Sequence, residues 1–236
     1  MKFSTTTITT FALVAISGLC TIPSSVEAFP FNSGYGNDEV ELKAEIDSAI
    51  FKGTVTVTQK QRKGKAKQIT DAKWVIDIDR IDDDICINAC RNAVDPPCTV
   101  AETKLNWHVH ERAIPEDGSC GDTGGHWDPT FGCGGASQYQ GEGDWCELLV
   151  NATLPSPFPS AITGRVNPQT CEPKEDITKC EMGDLSSKMK QVRIRRGTQR
   201  FYDEYISNLD NIKDLSIVFH CGKPRVACGN FVLIEE

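Results

Sequence analysis

Four histidines in a chain of 236 residues carry the first sign of chemistry. His108 and His110 stand two apart in L-N-W-H-V-H-E, His126 follows in the glycine-rich run C-G-D-T-G-G-H-W-D-P, and His220 closes S-I-V-F-H far downstream. Residues two apart on a β-strand face the same way. His108 and His110 can therefore present two imidazoles side by side, with Val109 turned to the other face. A strand is a rigid mount, which suits a metal centre. His126 lies in a loop able to fold over that face, and His220 ends a strand that can neighbour the first. Four imidazoles with no thiolate and no obligatory carboxylate suit Cu(II), which favours tetragonal nitrogen ligation; zinc accepts the same donors. The competing role is the ordinary one of a histidine on a surface or in a core, and a single H-x-H does not by itself specify a metal.

The elements that must position these residues alternate with a period of two. Residues 40–46 and 51–59, the latter containing T-V-T-V-T, read as an antiparallel hairpin around Asp47-Ser48. Residues 74–81, 105–110, 145–150, 190–195, 215–219 and 230–234 supply further strands, and residues 202–209 a short helix. Between them, residues 82–103 read as a disulfide-tied insertion, 118–143 as irregular and rich in glycine, and 151–176 as a long Pro- and Ser-rich loop. The run 59–67 is polar and basic (Lys60, Arg62, Lys63, Lys65, Lys67) and reads as a solvated hairpin tip, with a partner-binding patch as the other reading. Seven or eight strands with long loops indicate an all-β antiparallel sandwich or flattened barrel.

Composition narrows the setting. Lys plus Arg number 25 and Asp plus Glu 33, a net charge of −8, which argues against nucleic acid as a main partner. Residues 1–28 read as a secretory signal: Lys2, an apolar core of residues 11–20, and the small-residue site Val26-Glu27-Ala28. That core is too short for a membrane span, and the C-terminal V-L-I-E-E is no lipid-anchor signal, so a secreted, extracellular protein without a stable membrane anchor is expected. Residues 29–39 form a flexible leader and 40–236 one domain. Of eleven cysteines, Cys20 leaves with the signal and ten remain, an even number that implies disulfides in a secreted chain. Thiolate zinc sites are disfavoured because no C-x₂-C pair occurs. Asn151-Ala152-Thr153 is a glycosylation sequon.

Several separated motifs share one resemblance. His108-Val109-His110-Glu111, the spacing Cys120-x₅-His126-x-x-Pro129, Gly183-Asp184-Leu185 and Arg225-x-Ala227-Cys228-Gly229 occur in the order found in the copper/zinc superoxide dismutases. The likeness spans roughly residues 40–236. It implies a Greek-key β-barrel of about eight strands and copper held by His108, His110, His126 and His220. His126 resembles the histidine that bridges copper and zinc, Asp184 the zinc-binding aspartate, and Arg225 the arginine that attracts superoxide. Cys228 resembles the disulfide partner of Cys120.

The departures point further. The family needs two more histidines for zinc, and this chain has none left. Glu181 stands three residues before Asp184, where the family places one of them. Between His220 and Arg225 only C-G-K-P intervenes, so the family's long charged loop is missing. Together these features resemble the secreted copper-only superoxide dismutases. The resemblance implies one copper, no zinc, superoxide as substrate and a monomer. His126 would carry a proton, Glu181 would orient its far nitrogen, Asp184 would be structural, and Arg225 would supply a fixed positive charge. A copper-binding or interaction module without turnover, built on the same fold, is the alternative.

Overall fold

The computed structural model describes residues 38–62, 68–69, 71–91, 103–116, 118–141, 145–150 and 168–234. The expected signal, most of the leader, Lys63, Lys65, Lys67, Cys98, the side chains of Arg62 and Cys90, and the sequon at Asn151 lie outside the described residues.

Among the described residues nine strands form one antiparallel sheet: β1 (Asp38–Asp47), β2 (Phe51–Arg62), β3 (Gln68–Ile69), β4 (Ala72–Ile81), β5 (Lys104–His110), β6 (Val192–Arg193), β7 (Gly197–Asp203), β8 (Ser216–His220) and β9 (Arg225–Leu233). Their order is β6-β5-β8-β9-β1-β2-β4-β7, with the two-residue β3 beside β2. β8 returns to lie beside β5, and β6 and β7 stand at the two ends of the order. The seam is nearly closed by a side chain: the Gln199 amide of β7 donates to Arg193 O at 2.9 Å and accepts from Arg193 N at 2.9 Å. One amide thus supplies both bonds that a neighbouring strand would give.

The inward positions of the alternating strands make the core. Trp74, Trp107, Phe51, Phe219 and Phe231 are fully buried there. Trp74 meets Trp107 edge to face at 5.5 Å, and Phe51 stacks on Phe219 at 5.1 Å, arrangements that aromatic quadrupoles favour. No helix among the described residues is long and apolar enough to cross a membrane.

Among the described residues four short α-helices sit outside the barrel: α1 (Ile85–Arg91), α2 (Trp145–Val150), α3 (Pro173–Asp176) and α4 (Leu185–Lys188). Among the described residues four disulfides tie the loops: Cys86–Cys221, Cys120–Cys228, Cys133–Cys146 and Cys171–Cys180.

Several expectations are corrected. Residues 145–150 are helical, with Cys146 buried while Trp145 and Leu148 are exposed; the apolar run has no period of two. Tyr202 and Asp203 belong to β7, and the helical turn comes later, at Leu209–Ile212. Only Val192 and Arg193 of residues 190–195 are in a strand. Part of the supposed long loop, Pro173–Asp176, is a helical turn. Gln59 is buried, not solvated, and its amide donates to Ile206 O at 2.9 Å.

Candidate metal centre

β6 pairs with β5 only at Lys104 and Leu105. Beyond that point the edge of β5 is left to loops, and its peptide groups need partners. Ser186 of α4 takes the Trp107 N–H at 2.7 Å. Val109 N–H donates to Gly183 O at 2.9 Å, Trp127 N–H donates to Val109 O at 2.9 Å, and Gly183 N–H closes the ring on Trp127 O at 2.7 Å. Two loops are thereby docked on the edge where β5 carries its histidines, one bearing His126 and the other Glu181 and Asp184. Gly183 sits at the junction: a Cβ there would lie 2.3 Å from Val109 O and 2.8 Å from Trp127 O.

His108, His110, His126 and His220 are brought together, with one ring nitrogen of each within 4.8 Å of the others. They are 8 %, 1 %, 7 % and 6 % exposed, sheltered yet near the surface. His110 Nδ1 donates to Gly124 O at 2.9 Å, and His220 Nδ1 donates to Lys223 O at 3.1 Å. A carbonyl only accepts, so each Nδ1 carries the hydrogen and each Nε2 keeps its lone pair. Those two Nε2 atoms face each other at 3.2 Å. Two lone pairs so placed repel unless a cation lies between or beside them. A proton fits poorly. Burial first, and then the electrostatic influence of His126, His220 and Arg225, hold His110 down to about 3 from 6.5, and burial holds His220 down to about 4. His108 is pushed well below its ordinary value by burial and by His126. Its Nδ1 is buried with no hydrogen-bond partner, while its Nε2 lies in long contact, 3.4 Å, with Asp184 Oδ1. This all-nitrogen donor set fits copper.

His126 is held differently. Its Nδ1 is hydrogen-bonded to Glu181 Oε2, which leaves Nε2 as an acceptor. The other Glu181 oxygen accepts from Ala136 N at 3.1 Å. The backbone of His126 is gripped by the same segment: His126 N donates to Ala136 O at 2.7 Å, and Gln138 N to His126 O at 3.0 Å. Asp128 assembles that segment. Its buried carboxylate accepts from Gly132 N (2.8 Å), Cys133 N (2.9 Å) and Ser137 Oγ (2.7 Å). Burial raises its pKa and these three bonds oppose the rise. Asp128 and Ser137 were missed from sequence, where their local backbone partners leave no pattern.

Asp184 caps α4, accepting from Ser187 N at 3.0 Å. His126, Glu181 and Asp184 also lie within reach of a common point, but three donors fall short of the four that structural zinc wants. Arg225 donates through Nη1 to Cys120 O (2.8 Å), Gly121 O (2.8 Å) and Thr123 Oγ1 (3.1 Å), and through Nη2 to Gly124 O (2.5 Å). The Gly124 carbonyl thus serves both Arg225 and His110. The Cys120–Cys228 disulfide fastens this turn to β9, the strand that carries Arg225.

The chain is 28 % identical over 143 residues to a cell-surface Cu-only superoxide dismutase of Arthroderma benhamiae, covering 57 % of this chain and 29 % of that protein. The chain thus spans less than a third of the matched relative's length. No family model matches, and no solved structure matches.

Proposed function

We propose that this chain is a secreted, copper-dependent superoxide dismutase with a mononuclear site and no zinc. His108, His110, His126 and His220 hold the metal, and His126, Glu181 and Arg225 serve the reaction. The observation that carries this reading is the pair of facing Nε2 lone pairs on His110 and His220. The unpartnered Nδ1 of His108 adds to it. Bound copper would supply one-electron redox chemistry, by which two superoxide ions and two protons become dioxygen and hydrogen peroxide. The side chains supply the rest. Backbone carbonyls orient His110 and His220 with Nε2 inward. Glu181 holds the Nδ1 hydrogen of His126, so proton uptake and release occur at His126 Nε2, and the carboxylate stabilises the imidazolium that uptake creates. Arg225 fixes a positive charge beside the histidines, which favours an anion despite the net charge of −8. Secretion is supported by the four disulfides among the described residues and by the cell-surface relative.

The alternative reading is a copper-binding module without turnover. It draws on the four acceptors that already engage Arg225. The deciding experiment loads the oxidised protein with copper, counts nitrogen ligands by electron paramagnetic resonance, and assays superoxide with and without zinc. One equivalent of copper with turnover supports the enzyme. Copper without turnover supports the module, and a zinc requirement overturns the copper-only assignment. Arg225→Ala should slow the reaction at unchanged copper content; loss of copper instead would give Arg225 a structural role.

A further inference from the structure

Charge is spread unevenly over this acidic chain. The stretch M-K-Q-V-R-I-R-R-G-T-Q-R, residues 189–200, holds Lys190, Arg193, Arg195, Arg196 and Arg200 and no acid. All five are exposed, and none of their side chains makes an ion pair among the described residues. The fold adds a sixth. In the β5–β6 register Lys104 lies directly opposite Arg193, and like charges facing across a ladder cost stability. Beside this pair is a surface hollow of about 500 Å³, lined by Lys104, Lys190 and Arg193 and by no carboxylate. Across the seam Arg200 faces outward, adjacent in sequence to the Gln199 that bonds Arg193. On the next strand lie Lys73, opposite Tyr202, and Asp77, the bordering acid, which accepts from Thr198 Oγ1 at 3.1 Å.

We infer that this hollow and the adjoining seam bind an acidic polysaccharide, a carbohydrate chain bearing sulfate or carboxylate groups. An external anion relieves the Lys104–Arg193 repulsion that no acid of the hollow relieves. The remaining lining suits a sugar chain. Asn106, Ser186, Ser187 and Gln191 interleave neutral hydrogen-bonding groups with the cations. Gln191 Nε2 donates to Asn106 Oδ1 at 2.7 Å, which leaves Asn106 Nδ2 and Gln191 Oε1 for a ligand. No aromatic side chain lines the hollow to stack a nucleobase. Its one apolar side chain, Met189, is partly buried and offers little to a bilayer. Lys104 and Asn106 continue the outward row of β5 that His108 and His110 complete, so a chain bound there lies about 7–13 Å along the strand from His108.

The test passes the mature protein over immobilised sulfated dextran, polygalacturonate and neutral dextran at low ionic strength. Retention on one or both acidic polymers and not on neutral dextran is expected, and the stronger of the two identifies the anionic group. The triple variant K104S/K190Q/R193Q, shown by thermal unfolding to be folded, should bind about tenfold more weakly or less, with a shallower dependence on salt. A variant with Lys60, Lys63, Lys65 and Lys67 changed to Gln should bind as the parent does. Absence of retention, full binding by the triple variant, or loss of binding in the 60–67 variant instead would overturn the proposal. Stronger capture by single-stranded DNA or by vesicles of anionic lipid would also overturn it.

Discussion

The two sides of the histidine cluster are built on different principles. His108, His110 and His220 sit on paired strands, β5 and β8, and the latter two have Nδ1 fixed by main-chain carbonyls. His126 sits in a loop, and its Nδ1 is fixed by a carboxylate, which is itself held by another loop segment. A carbonyl bound into the fold is a constant acceptor. A carboxylate is an acceptor whose strength follows the charge of the imidazole it faces, since it binds imidazolium far better than imidazole. The strand side thus suits a permanent ligand set, and the loop side suits a histidine that changes protonation. Zinc on the far nitrogen would also fix His126; here Glu181 occupies that direction.

The difference can be broken at either end. The largest effect is expected from His220→Gln, which removes a strand-borne donor: copper measured by mass spectrometry should fall from one equivalent to almost none. His126→Gln should keep most of its copper, and equal losses in the two variants would erase the distinction. Next comes Glu181→Gln, which keeps the shape but weakens the acceptor; dismutation should slow by about 10–100-fold with copper retained, and an unchanged rate would remove Glu181 from the reaction. Asp128→Ala acts one step further out. It leaves the Gly132 N–H, Cys133 N–H and Ser137 hydroxyl without their acceptor, and should cost about 2–3 kcal/mol in denaturant unfolding. No loss of stability would show that the loop stands without it.

The smallest effect is graded and belongs to the strand side. Without metal, burial depresses His110 from 6.5 to about 3 and His220 from 6.5 to about 4. The unfolded chain therefore takes up protons first, and native stability, fully present above 6.5, is lost progressively as pH falls towards 4 and then 3. Denaturant midpoints across that range check this; a flat profile would show that protons reach these imidazoles in the folded state.

Sequence legibility followed the same division. Strands β1, β4, β5 and β8 announce themselves because apolar residues fill their inward positions, and β2 does so through Phe51, Val55 and Val57. β7 does not, because two of its inward residues are polar: Gln199, which closes the seam, and Asp203, whose carboxylate accepts from the buried Lys188 at 2.6 Å. Such satisfied polar pairs hide the period of two. The four histidines and Glu181 were legible as residue types at given spacings. The support behind His126 was not, since Asp128 acts through peptide N–H groups that any residue could supply.

The Cys86–Cys221 bond, with a sequence separation of 135, has a mechanical meaning. His108, His110, His126 and His220 all lie between its two cysteines. Tension applied along the chain from β1 at one side and β9 at the other would pass from Cys86 straight to Cys221 through sulfur. The bypassed chain, with every histidine in it, is tied to β9 a second time by Cys120–Cys228, and the shorter covalent path through Cys221 takes the load first. Pulling could peel away β1, β2 and β4, whereas all four imidazoles would stay within one covalently closed ring; reducing Cys86–Cys221 would free His108 and His110 from it and leave His126 and His220 inside the Cys120–Cys228 ring.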